Sequence, residues 1–137
     1  MDAKRVTIGL LTALLLVGAA SGDAPLEGTY WKATQVDGIP VEHIEHVREP
    51  HVVFDAGRLS GADGCNRFTG GYDLRGNRIH IAALASTRMA CEDTQRIERA
   101  FTKALTSAAE WRITRGVLEL YDGKHKRLAR LEAQPSN

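Results

Sequence analysis

Two cysteines, a histidine-rich stretch and a few polar residues beside the cysteines are the side chains of this sequence best equipped for chemistry. Cys65 and Cys91 are its only cysteines, and they bracket a run rich in glycine and turn residues. A thiol pair can form a disulfide, stay free or hold a metal. No third or fourth ligand sits at zinc-site spacing around either cysteine, which weakens the metal reading. An even cysteine count in an exported chain favours one disulfide. Closing a loop of about 27 residues would then contribute about 3.5 kcal/mol in the chain-entropy model. A cysteine tied in this way is no thiolate nucleophile.

The second group is Glu42-His43-Ile44-Glu45-His46, followed by Glu49 and His51. A helical turn there would place His43 and His46 on one face, with carboxylates as further donors, and make His43, His46 and His51 candidate metal ligands. The spacing is not that of the HExxH zinc-protease motif. A solvated polar loop accounts for the same residues without metal. Beside the cysteines, Gly64, Asn66, Arg67, Tyr72, Thr87 and Arg88 are candidates for a ligand-facing surface. Each also has a structural role to fill: Asn beside a Gly-Cys turn bonds backbone, Thr bonds within a loop, and paired surface arginines are usually solvated. Arg67 and Arg88 could hold an anion if the fold brings them together. No GxSxG elbow is present, and Asp63 sits in a turn where bonding to backbone is the simpler account. No catalytic constellation and no cofactor motif emerge, so the expectation is a non-enzymatic protein.

These residues sit in a chain of 137 residues, the length of one domain. Its start has the layout of a secretory signal: Lys4 and Arg5, an uncharged apolar run from Val6 to Ala20, then small residues. The expected signal is 1–22, with cleavage after Ala20 or Gly22. The apolar run is shorter than the roughly 20 residues of a membrane span. No cysteine lies near the cleavage region, so no lipid anchor is expected, and the expected location is periplasmic or secreted. Removing 1–22 takes Asp2, Lys4 and Arg5 and leaves 16 basic and 16 acidic side chains, down from 18 and 17. That balance argues against a nucleic-acid binder.

Hydrophobic periodicity supplies the scaffold. Leu26 to Val36 alternates loosely, Ile39 to Val41 reads as a short edge strand, and 42–50 as a surface loop. His51 to Phe54 is a strand that turns at Asp55-Ala56-Gly57 into Arg58 to Ser60. Five glycines between Gly61 and Gly76 predict bends or bulges, with Phe68 and Tyr72 pointing inward. A strand at Arg78 to Ala82 follows. From Asp93 to Ala108, Ile97, Phe101, Leu105 and Ala108 share one helical face, with Asp93 or Thr94 as cap. Alternation returns at Trp111 to Ile113, Leu118 to Leu120, and Lys126 to Glu132. A disordered tail is expected over 133–137. The expected fold is α+β: a small antiparallel sheet or partial barrel packed on one amphipathic helix at about 93–108.

Set in this order, the chain resembles the META domain family, the HslJ-like bacterial envelope proteins. The matching pieces are LEGTYW (Leu26 to Trp31), VVFD-x-GRLSG (Val52 to Gly61), DGCNRFTGGY (Asp63 to Tyr72), STRMAC (Ser86 to Cys91) and VLELYD (Val117 to Asp122). They span nearly all of residues 26–132, the expected domain. The resemblance implies an exported or surface-attached antiparallel β structure on a helix. Its members are linked to stress tolerance, heat shock, antibiotic resistance and, in some parasites, virulence. It implies no catalytic residue, and it makes an unidentified envelope protein or small ligand the expected partner. This chain departs from the family in lacking a lipid-attachment cysteine and in its histidine-rich 42–51 segment.

Overall fold

The computed structural model describes residue 9 and residues 23–135. The expected signal over 1–22 lies outside the described residues except for Gly9, as do the last two residues of the expected tail.

Short strands alternating between buried and exposed positions are the main regular elements of the domain. They are β1 (Tyr30–Val36), β2 (Ile39–Pro40), β3 (His51–Asp55), β4 (Arg58–Ala62), β5 (Arg67–Arg75), β6 (Arg78–Ile81) and β7 (Ala85–Ser86). The helix α1 (Gln95–Ser107) follows, then β8 (Glu110–Thr114), β9 (Val117–Tyr121) and β10 (Arg127–Gln134). Eight of the strands form a ring in the order β1-β3-β4-β5-β6-β8-β9-β10, and β10 pairs back onto β1. The pairings are antiparallel, while β2 adds to β1 and β7 to β5.

The expected partial barrel is therefore a closed one. Closure comes from β1 and β10, which run antiparallel from Tyr30 opposite Gln134 to Val36 opposite Ala129. Register shifts at Ala33/Gln35 and Arg127/Ala129 fall in this same pair of strands, where the added twist of a bulge helps the sheet curl shut. Pairing the ring's ends removes its open edges. β10 also continues through Ala133 and Gln134, two positions placed in the tail by sequence, because these residues still bond across to β1.

The glycine-rich segment meets expectation in part: Gly64 and Gly76 occupy a bend and a turn at positive φ, whereas its strand glycines serve another purpose. β5 passes through Gly70 and Gly71 without a register shift against β4. Gly61 and Gly70 make room instead of bends. A Cβ on Gly70 would sit 2.8 Å from a Leu84 methyl, and one on Gly61 would run into the His51 carbonyl and the Phe68 ring.

Inside the ring, period-two alternation places Trp31, Val52, Phe54, Leu59, Phe68, Ile79, Leu118, Leu120 and Leu131 in one core. The Trp31 indole N–H donates to the Leu26 carbonyl at 2.9 Å, so this largest core side chain leaves no buried polar atom unpaired. α1 touches β1, β6, β9 and β10. Those strands come from across the ring, so the helix covers one mouth of the barrel. Phe101, Ala104 and Leu105 are its buried face, with Phe101 edge-on to Phe68 at 6.0 Å between centroids. Thr94 is the N-cap residue but does not cap by side chain; its hydroxyl donates back to the Cys91 carbonyl at 3.4 Å.

Because Phe101 plugs the mouth with no exposed surface, Phe101→Ala is expected to destabilise the domain by about 3–5 kcal/mol. Lys103→Ala, on the exposed face of the same helix, should change stability by less than about 0.5 kcal/mol. Urea unfolding of the two variants checks this contrast.

Candidate functional site

Between β4 and β5, residues Asp63 to Asn66 form a tight turn organised by one buried carboxylate. Asp63 Oδ1 accepts the backbone N–H of Cys65 at 3.0 Å and of Asn66 at 2.7 Å, while the Asp63 N–H donates to the Asn66 carbonyl at 3.0 Å. Gly64 holds φ at +107°, a conformation that disfavours any side chain. This turn presents Cys65 to Cys91, and the two are joined in a disulfide with Cα atoms 5.9 Å apart.

Asn66 performs a second, noncovalent closure beside it. Its Oδ1 accepts the Met89 N–H at 2.7 Å and the Thr87 hydroxyl at 3.0 Å, and its amide nitrogen donates to the Met89 carbonyl at 3.3 Å. Thr87 Oγ1 in turn accepts the Arg67 N–H at 3.1 Å, and the Thr87 N–H donates to the Arg67 carbonyl at 3.0 Å. Gly64, Asn66 and Thr87 are thus gathered at one spot, and their polar groups are occupied by one another and by backbone. Arg67 bonds Thr87 through its backbone and Arg88 is the next residue along; both side chains are exposed and, among the described residues, in no ion pair. Tyr72 lies elsewhere, inside the barrel: its ring meets Phe54 edge-on at 5.1 Å and its hydroxyl donates to the Glu27 carboxylate. Burial first, and that bond second, push the Tyr72 phenol up to about 12.

The histidines are not assembled as a ligand set. Residues 41–50 contain a turn but no helix, and His46 adopts φ of +66°, so the helical spacing that would have aligned His43 with His46 does not exist. Both are exposed. His51 opens β3, stacks on Tyr30 at 4.3 Å, and places Nδ1 3.0 Å from the Glu49 carbonyl. Among the described residues, the side chains that do converge at ligand distance are Cys65, Cys91 and Glu98, two of which are bonded to each other.

What the loop does form is one wall of a cleft of about 560 Å³, with the start of α1 opposite. Ile39, Val41, Ile44, Val47 and Ile97 give it an apolar lining, and Lys32, Glu49 and Thr94 are among its polar groups. The volume is within the range of small-ligand sites. Ile44, 43% exposed, stands at this cleft, and Met89, 59% exposed, borders the hollow on the other side of Val47 and Gly64. Each Glu49 oxygen has a partner: Oε1 accepts the Tyr30 hydroxyl at 2.9 Å and Oε2 lies 3.3 Å from Lys32 Nζ. Burial pulls the Glu49 carboxyl upward, but the bonds from Tyr30 and Lys32 and the nearby charges of Lys32 and His51 outweigh it and hold the carboxyl below its ordinary range. Burial and the Glu49 bond push the Tyr30 phenol far up.

The sequence did not single out Tyr30, Lys32 or Glu98, and it offered Glu49 only as an oxygen donor behind the histidines. Tyr30, Lys32 and Glu49 meet only because β1 pairs β3 with Lys32 opposite His51. Alternation in Tyr30-Trp31-Lys32, with Trp31 inward, was the available signal that Tyr30 and Lys32 share the outer face.

A carboxyl held below its ordinary value of 4.5 contributes stability above that pH and loses it as pH falls. Urea midpoints of the native protein and Glu49→Gln, measured between about pH 7 and pH 3, should therefore differ most at neutral pH and converge in acid.

The sequence of the META domain family matches residues 24–135. No curated protein is similar enough to count as a relative. Among solved structures, a protein from Burkholderia xenovorans, solved by NMR, superposes with a TM-score of 0.65 at 23% identity, covering 81% of this chain and 85% of that one. A second NMR structure gives 0.61 at 25% identity, over 78% and 91% of the two chains. A DUF4847 family protein from Bacteroides vulgatus gives 0.59 at 14% identity, over 82% and 96%. These likenesses speak to the fold. The family match extends over most of the sequence and takes in the Asp63 turn, both cysteines and α1, and on that ground the chain belongs to the META domain family.

Proposed function

We propose that this protein is an exported, non-enzymatic binding protein of the cell envelope. It holds a protein segment or a small ligand in the cleft between the 41–50 loop and α1, and through that binding contributes to envelope stress tolerance. The observation that carries the reading is the contrast between the signature motif and the cleft. Asn66, Thr87 and Asp63 are consumed by internal bonds, whereas the cleft leaves Ile44 exposed beside an apolar wall. A concave, mainly apolar cleft with a few polar groups is the usual form of a recognition site.

Binding is favoured because the cleft wall is mainly apolar with a few polar groups, the usual character of a ligand site. Export is supported by the basic-apolar-small layout of the first 22 residues and by the disulfide, a bond typical of oxidising compartments.

Ile44→Asp tests the proposal, since Ile44 can be changed with less than about 0.5 kcal/mol of stability at stake. Cells lacking the gene should lose survival under envelope stress, regain it with the native protein, and fail to regain it with Ile44→Asp present at the same level. Full rescue by Ile44→Asp would refute the assignment of function to the cleft.

A further inference from the structure

The disulfide has a neighbour that sequence spacing conceals. Both sulfurs and a carboxylate oxygen of Glu98 lie within 4.8 Å of one another. The three side chains come from separate pieces of chain: the β4–β5 turn, the segment entering α1, and the first turn of α1. Cys65 is buried, Cys91 and Glu98 are half-buried, and a hollow of about 480 Å³ bordered by Val47, Met89 and both cysteines leads to the sulfurs.

This convergence does not depend on the sulfur–sulfur bond. Asn66 holds Thr87 and Met89 by three hydrogen bonds, and Asp63 fixes the backbone of Cys65. The Glu98 N–H donates to the Thr94 carbonyl at 3.0 Å, and Thr94 bonds the Cys91 carbonyl through both its N–H and its hydroxyl. Breaking the disulfide therefore leaves its two cysteines and Glu98 tethered close together. Thiolates are strong ligands for borderline metals, and two of them with one carboxylate suit zinc better than calcium or magnesium, which take oxygen alone.

We propose that reduction of the Cys65–Cys91 disulfide creates a zinc site whose ligands are the two cysteine thiolates and the Glu98 carboxylate. A dithiol reductant supplies two electrons and two protons, becoming a disulfide as Cys65 and Cys91 become thiols. Zinc then replaces the two thiol protons, which pass to solvent. Three protein ligands leave one tetrahedral position for water. The oxidised chain has no thiolate to offer, so the site is gated by redox state. It stands independently of the cleft and would survive the failure of that reading.

The test uses the full chain in a His43→Ala/His46→Ala background, which removes the loop imidazoles as competitors. Zinc is titrated against a chromogenic chelator before and after reduction with a phosphine, and cobalt(II) serves as a spectroscopic probe. The reduced chain should bind a single equivalent of zinc and show thiolate-to-cobalt charge transfer, and the oxidised chain should do neither. Glu98→Gln should weaken zinc binding by at least about 10–100-fold, since loss of even an outer-shell group at a metal site costs that much, and Cys91→Ser should weaken the charge-transfer band and abolish its dependence on reduction. If reduction loosens the fold, zinc should raise the urea midpoint of the reduced chain. Equal zinc binding in both redox states, unchanged affinity in Glu98→Gln, or a reduced chain indifferent to zinc would overturn the proposal.

Discussion

The closure between the Asp63–Asn66 turn and the Thr87–Cys91 segment is the constraint on which the rest of this structure depends. It has a covalent half, the Cys65–Cys91 bond, and a noncovalent half, the Asn66 amide on Thr87 and Met89. Segment 87–94 leads directly into α1, so anchoring it to the β4–β5 turn decides where the helix begins. With its start held there, α1 brings Phe101 and Leu105 over the barrel mouth and Ile97 to the edge of the cleft. One local closure thereby couples the sealing of the core to the shape of the outer surface.

The barrel supplies the other half of the account. An antiparallel sheet of this length would expose two edges, and here the pairing of β1 with β10 removes them. Closure also creates an interior that side chains must fill, which explains the series of fully buried Trp31, Phe54, Phe68 and Leu118. Crowding explains the glycines in turn: Gly61 and Gly70 sit where a neighbouring carbonyl, ring or methyl leaves no room for a Cβ. Residues 42–49 lie outside this packing, which leaves Ile44 available to face a partner.

Much of the fold was legible in the sequence, and the reason is local. Strand alternation, the turns at Asp55 to Gly57 and Arg115-Gly116, and the face formed by Phe101, Leu105 and Ala108 are short-range patterns with a direct steric cause. The disulfide was legible from the even cysteine count and from the export that the first residues led one to expect. Barrel closure was not, because nothing within β1 or β10 records that the other will bond to it. The same limit hid Glu98, which meets the cysteines only once α1 is placed, and the Tyr30–Lys32–Glu49 network, which exists only across the β1–β3 register. The histidine segment misled for a complementary reason. Its spacing has meaning only in a helix, and the backbone there turns instead, with His46 at positive φ.

The reading of the signature motif as architecture, with function displayed on the surface it positions, rests most directly on Asn66. Urea unfolding of Asn66→Ala with the disulfide intact isolates the noncovalent half of the closure. Loss of three hydrogen bonds at a partly buried site should cost about 1–3 kcal/mol, while the aromatic near-ultraviolet signature of the barrel core persists. Unchanged stability in that variant would contradict the account, because it would mean that Asn66 holds nothing together and must be explained by what it binds.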